Sequence, residues 1–337
     1  MEKKKTILFV SILAVVLSPL FCIAADVSEE DVTPRAKKIY LEPERSIIER
    51  GKFKFLLAST QGYDNNSHLD STREGDAYLQ TFFRGTFTTS VSKETEASLG
   101  YELMNLLYAG ESDLDLLRNG IQAGISHNLT QNLNISGEYN FDSIEYINSG
   151  NDDYLDNQVG FKLKYKLPHK MFMSLGHNFM LRNYADRLIR TAADTYSEKK
   201  REDIRNTVEY EIGKYFTKDF LKLGYQYFCN NSNEKYLNYY DYDSHKFGIS
   251  LTHLFNDKFT GYLSLSKQFR DYRSRTLIND AGCREHERTY LMTVASYYNF
   301  NKSISFGLSY TYRQNKSNEP AEKYSGSLVS VSTYYRF

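Results

Sequence analysis

The chain has no tryptophan, only 5 prolines and 3 cysteines in 337 residues, and no net charge. Each shortage excludes something. Proline lacks the donor that a β-ladder uses, so a chain this poor in it can be strand over most of its length. The cysteines are too few for a disulfide scaffold. With 42 Lys and Arg against 42 Asp and Glu there is no basic footprint, and no nucleic-acid partner is expected. Beyond the N-terminus no apolar run is long enough for a spanning helix, and mean hydropathy is −0.56, which excludes a helical membrane protein.

The N-terminus reads as an export signal. Lys3, Lys4 and Lys5 precede an apolar stretch from Ile7 to Leu17, Pro19 breaks it, and small residues follow at Ala24 and Ala25. The expected signal peptide is 1–25. Cys22 is a poor lipidation site because bulky Phe21 precedes it. Residues 26–50 are charged, lack alternation, carry Pro34 and Pro43, and read as a periplasmic tail.

What the chain does have is 29 Tyr, 21 Phe and sustained alternation. Ile304, Phe306, Leu308, Tyr310 and Tyr312 oppose Ser303, Ser305, Ser309 and Arg313; Val159, Phe161, Leu163, Tyr165 and Leu167 oppose Lys162, Lys164 and Lys166. These runs outlast the usual soluble strand of about 5–6 residues. Turn signals recur at 91–95, 128–132, 167–170, 216–220, 255–259 and 299–302, with long polar stretches between them. Short turns at one end and long loops at the other predict an all-β fold over 51–337. It is an antiparallel transmembrane β-barrel of about 14 strands, with short periplasmic turns and longer extracellular loops. Lipid is then its first partner, lipopolysaccharide included.

The final strand, Val329 to Phe337, ends on an aromatic residue with Tyr335 in the same register. It resembles the signal that hands outer-membrane barrels to the barrel-assembly machinery. The segment Gly62-Tyr-Asp-Asn-Asn-Ser67 and a repeated block point the same way. That block is Tyr225-x-Tyr227-x-x-Asn230-x-Ser232-Asn233-Glu234, matched by Tyr310-x-Tyr312-x-x-Asn315-x-Ser317-Asn318-Glu319. Together they resemble the porin-like outer-membrane barrel families of Gram-negative bacteria. The texture is also similar to exopolysaccharide-associated barrels and to the barrel half of surface lipoprotein assembly modifiers. The resemblance implies the cell outer membrane. It carries over no functional residue. The repeat itself reads as a strand-exit device or as two polar edges for a surface glycan.

Alternation places Arg84, Arg118, Lys162, Lys164, Lys166, Arg182, Arg270 and Arg313 in the lumen, with Glu138, Asp142, Glu209, Glu211, Lys222 and Arg336. The set leans basic. It reads as a pore favouring small anionic or saccharide solutes, or as ion pairs that prop the wall and block passage. A non-conducting barrel serving polysaccharide-export partners or protein export is the alternative. Cys229 and Cys283 fall near outer loops, where the envelope would permit a disulfide that spacing does not establish.

An outer-membrane hydrolase would need a Ser/His/acid or Asp/His set. His177 shares the outward register of Leu175 and Phe179, while Ser174 faces the other way. His68, His245 and His286 lie near outer acids without a recognised nucleophile or metal spacing. No enzyme activity, metal or cofactor is expected.

Overall fold

The structure is a computed structural model that describes residues 51–70, 74–149, 153–192, 195–236 and 238–337. The expected signal peptide, Cys22 and the tail at 26–50 lie outside the described residues. Fourteen strands follow one another: β1 (Lys52–Asp64), β2 (Asp76–Ser90), β3 (Thr95–Tyr108), β4 (Leu116–Asn128), β5 (Leu133–Tyr146), β6 (Tyr154–Leu167), β7 (Met171–Ala192), β8 (Thr195–Tyr215), β9 (Asp219–Ser232), β10 (Tyr242–Leu254), β11 (Phe259–Thr276), β12 (Arg284–Asn299), β13 (Ile304–Ser317) and β14 (Tyr324–Arg336).

Each strand pairs antiparallel with its neighbours in sequence, and β1 pairs with β14 to close the barrel. The seam is finished by reciprocal backbone bonds, Phe55 N–H to the Phe337 carbonyl at 2.8 Å and Phe337 N–H to the Phe55 carbonyl at 3.1 Å. Closure leaves no unpaired edge, the condition for placing a sheet in hydrocarbon. The short turns fall where the turn signals placed them, and both barrel termini lie at that end.

The register is set by the alternation. Ile121, Phe161, Leu175, Val208, Phe247, Leu308 and Val331 face outward and are exposed. In water such a surface would aggregate; it is the lipid belt of a barrel. A one-residue slip would send Lys162 and Lys164 into lipid at about 2–4 kcal/mol each near the midplane. Aromatic rings flank the belt. Near the short turns Phe55 stacks on Phe337 at 5.2 Å, and Tyr335 meets Phe337 at 5.1 Å. Higher up, outward tyrosines bond to a polar side chain on the next strand: Tyr101 to Asn119 at 2.9 Å, Tyr139 to Asn157 at 2.8 Å, and Tyr227 to Asp243 at 2.8 Å.

The repeated block performs the same task twice at the long-loop end. Asn233 bonds the backbone of Glu202 on β8 through its own N–H and its side-chain oxygen, and its amide donates to the Lys200 carbonyl at 3.1 Å. Asn318 bonds His286 on β12 in the same way and donates to the Arg284 carbonyl at 2.8 Å. Ser232 and Ser317 each accept from the backbone N–H of the following glutamate. Those glutamates then cap a third segment, Glu234 accepting from Arg190 N–H at 3.1 Å and Glu319 from Ile278 N–H at 2.8 Å. An asparagine amide presents a donor and an acceptor as a peptide unit does, so it extends the ladder past the strand end. The block is thus a clamp that holds two tall hairpins upright.

Inside, Arg313 on β13 crosses β14 to reach Asp64 on β1, and donates to the Asn66 carbonyl at 2.6 Å. Gly326 on β14 permits the crossing. A methyl there would stand 2.9 Å from Asn66 Cβ and 3.4 Å from Arg313 Nε. Gly326→Val is expected to displace this buried pair and cost about 3 kcal/mol. The check is the midpoint of urea unfolding in lipid against wild type; an unchanged midpoint would show that the crossing does not brace the wall.

Candidate functional site in the barrel lumen

The inward faces fall into two levels. Nearer the short turns, the lumen is wet. Lys162 on β6 bonds Glu211 on β8 at 2.8 Å and lies 3.4 Å from Glu209, and Lys222 on β9 approaches Glu211 at 3.3 Å. These four side chains keep 20% to 38% of their surface exposed. Lys164 lies over the Phe172 ring at 4.5 Å, and Lys166 is exposed at the mouth. Higher on β2 to β5, Arg84 bonds Glu102, its Nε at 2.6 Å, while Arg118 holds Asp142 at 2.8 Å and approaches Glu102 at 3.6 Å, and the two carboxylates keep only 3% and 9% of their surface exposed.

Toward the long loops the interior is dry. Arg182 grips Asp156 with two bonds of 2.8 Å across directly opposed positions of β6 and β7. Arg201 grips Asp203 at 3.0 and 2.5 Å. Arg270 meets Glu287, its direct partner on β12, at 3.1 Å. Arg275 spans Glu285 and Glu322, 2.7 Å from each. With Arg313 and Asp64, every side chain in these pairs keeps only 1% to 6% of its surface exposed.

Aromatic rings fill the spaces between. The Arg182 guanidinium lies 3.9 Å from the Tyr154 ring, Arg201 lies 3.2 Å from Tyr240, Arg270 4.7 Å from Tyr242, and Arg275 4.3 Å from Tyr239. Tyr272 donates to Glu287 at 3.2 Å. A guanidinium edge satisfies a carboxylate while its face rests on a π-system, so one residue closes the lumen in two directions.

All eight arginines and lysines expected in the lumen face inward, yet they do not form an anion-attracting surface, because Lys162 and the arginines already hold carboxylates. Sequence reasoning missed most of those partners: Asp64, Glu102, Asp156, Asp203, Glu285, Glu287 and Glu322, and the further arginines Arg201 and Arg275. The signal was present for two pairs. Arg182 with Asp156 and Arg270 with Glu287 occupy directly opposed register positions, which become readable once the hairpin turns are fixed.

The disulfide considered for Cys229 and Cys283 is not formed; both thiols are free. Cys229 sits on the outward face of β9, with β10 and β11 between it and the loop that carries Cys283. His177 is exposed on the outer wall between Phe161 and Val208, and Ser174 points inward to bond Glu211 at 3.2 Å. Among the described residues, two clusters bring three ligand atoms within 4.8 Å of one another: His68, Glu74 and Glu111 at the rim, and Glu285, Glu287 and Glu322 in the dry level. Arg275 and Arg270 already serve the second cluster.

No protein-family model matches the sequence, and no curated protein does. Solved structures do match. Outer-membrane expressed OmpT of Vibrio cholerae superposes with a TM-score of 0.53 at 8% identity, over 85% of this chain and 97% of that one. A loop-deletion mutant of OmpT from the same organism gives 0.52 at 8% identity, over 86% and 100%. An anion-selective porin from Comamonas acidovorans gives 0.49 at 11% identity, over 85% and 99%. The fold is that of an outer-membrane β-barrel. The short-turn end is therefore the periplasmic end, and the dry level belongs to the outer half of the lumen.

Glu322 lies in the 3-10 turn at Pro320–Glu322, outside the strands. Burial pushes its carboxyl up to about 7, against the opposing pull of Arg275. The folded rim then holds a proton that the unfolded chain releases, so rim stability falls as pH rises from about 4.5 to about 7. After correction for intrinsic rates, amide exchange across 320–324 is expected to be faster at pH 8 than at pH 5. Glu322→Gln should remove that difference; a difference that persists in the variant would place the proton elsewhere.

Proposed function

We propose that the protein is a gated conduit for small polar solutes, anions or saccharides, seen here in its closed state. One observation carries this reading: the lysine–glutamate network near the periplasmic turns is part-exposed, whereas five arginine–carboxylate pairs in the outer half are almost fully buried. The barrier consists of paired side chains. Arginine and tyrosine side chains change rotamer without altering the wall, so a barrier built from them is able to part. Guanidinium groups beside carboxylates and aromatic rings also suit a saccharide or a small anion, which exchange hydrogen bonds with the former and stack on the latter. The seam aromatics Tyr335 and Phe337 point outward, which supports their reading as the signal presented to the barrel-assembly machinery.

Conductance in planar bilayers tests the gate. Wild type is expected to show rare or small openings. Arg182→Gln with Arg270→Gln leaves Asp156 and Glu287 buried without a counter-charge, a cost of about 3–5 kcal/mol per broken pair that favours a hydrated, open layer. The double variant should conduct more often or more strongly. A folded variant as silent as wild type would favour the second reading, a closed scaffold for export partners. Replacing Lys162, Lys164 and Lys166 by Gln should move the reversal potential toward cations, because Glu209 loses its counter-charge and Glu211 keeps only Lys222. An unmoved potential would take these residues off the solute path.

A further inference from the structure

The outer wall carries a basic cluster that the lumen does not explain. Lys267 on β11, Arg288 on β12 and Lys316 on β13 all belong to the outward register. Arg288 and Lys316 are direct cross-strand partners, so two positive charges face each other. Like charges in that position destabilise a sheet unless something neutralises them. Among the described residues none of the three makes an ion pair. The ammonium groups of Lys267 and Lys316 lie 5.1 and 5.4 Å from the ring of the same residue, Tyr290, which gathers them around one spot. Arg284 adds a fourth outward cation higher on β12. Asp271 is the one outward carboxylate on the outer halves of these strands and makes no ion pair. Arg273, further up β11, is instead held by Asp243 at 2.9 Å.

Height decides what this cluster meets. At about 3.3 Å per residue and a tilt of about 40°, Arg288 and Lys316 stand roughly 28–30 Å above the periplasmic turns. The apolar band of such a barrel is about 25 Å tall. The two charges therefore clear the hydrocarbon and sit at the outer headgroups, above the aromatic belt of Phe269, Tyr290, Tyr310 and Tyr312. Lys267 starts lower and can reach the same level by extending its stem along the wall. The cluster is confined to this sector. On β1 through β6 and on β14, the outward positions of the outer half carry no lysine or arginine.

We propose that Lys267, Arg288 and Lys316 form a docking site for the phosphate groups of lipid A in the outer leaflet. A phosphate accepts a forked pair of bonds from the arginine and single bonds from the two lysines. It removes the repulsion across β12 and β13, while its acyl chains lie along the apolar wall below. The site fixes a lipid to one sector of the barrel and is independent of whether the lumen conducts.

Native mass spectrometry of the detergent-purified protein with bisphosphorylated lipid A, in the presence of EDTA, tests the site. Wild type should retain the lipid. Lys267→Gln, Arg288→Gln and Lys316→Gln together should weaken binding roughly a hundredfold, from about fivefold for each basic residue at an anionic surface. The charge-preserving pair Arg288→Lys and Lys316→Arg should keep most of the affinity. Lipid A stripped of both phosphates should bind wild type as weakly as the triple variant binds the intact lipid. Heat-shifted migration in gels reports that each variant is folded, and the comparison of the two lipids on wild type needs no variant. Equal binding of stripped and intact lipid A to wild type, or undiminished binding by the folded triple variant, would overturn the site. So would phosphatidylglycerol binding as tightly as lipid A, because the cluster would then be a general contact for anionic lipids and not a lipid A site.

Discussion

A charge taken out of water must find a partner or lose its proton, and that constraint organises the interior of this barrel. Five arginines in the outer half are nearly inaccessible, and each lies against one or more carboxylates. A single guanidinium in such a place would cost several kcal/mol; paired with an acid it is tolerated. The pairs in turn demand register. Arg182 meets Asp156 and Arg270 meets Glu287 because the ladders set those residues opposite one another. Arg313 reaches Asp64 because glycine occupies the strand between them. The wall positions the charges, and four of the five arginines tie separate elements together, Arg201 and Asp203 both lying on β8.

The two ends of the barrel follow different rules as a result. At the periplasmic end, side chains share water, and Lys162, Glu209, Glu211 and Lys222 form a loose network. At the outer end, tyrosine rings displace water and the pairs tighten. The tall hairpins of β7–β8 and β11–β12 support this closed level from above, each held by the same asparagine–serine–glutamate clamp. The repeated block visible in the sequence is therefore part of the scaffold that keeps the dry level in place.

Alternation made much of the fold legible. Period-two patterning over long strands, six short turn signals and an aromatic terminus led to an antiparallel barrel of about 14 strands, and the inward register of the lumenal residues followed. Pairing within the lumen was less legible. Lys162 reads as part of a basic row along β6, but its partners Glu209 and Glu211 lie two strands away. Arg313 and Asp64 are separated by most of the chain and meet only because the barrel closes. Dryness was not legible either, since the same alternating pattern describes an open pore and a filled one. The difference lies in side-chain volume, in tyrosines such as Tyr154, Tyr240 and Tyr272 that pack on Arg182, Arg201 and Arg275 from elements far apart in sequence.

Sided thiol labelling measures most directly whether the outer half of the lumen is closed. Single cysteines would replace Lys222 in the wet level and Ser244 in the dry level, in a background where Cys229 and Cys283 are serine. With the barrel in oriented proteoliposomes, a membrane-impermeant maleimide would be added from one side at a time. Reagent from the periplasmic side should label position 222 and leave position 244 unmodified, and reagent from the outer side should reach neither. Rapid labelling of position 244 from either side would contradict a closed outer lumen.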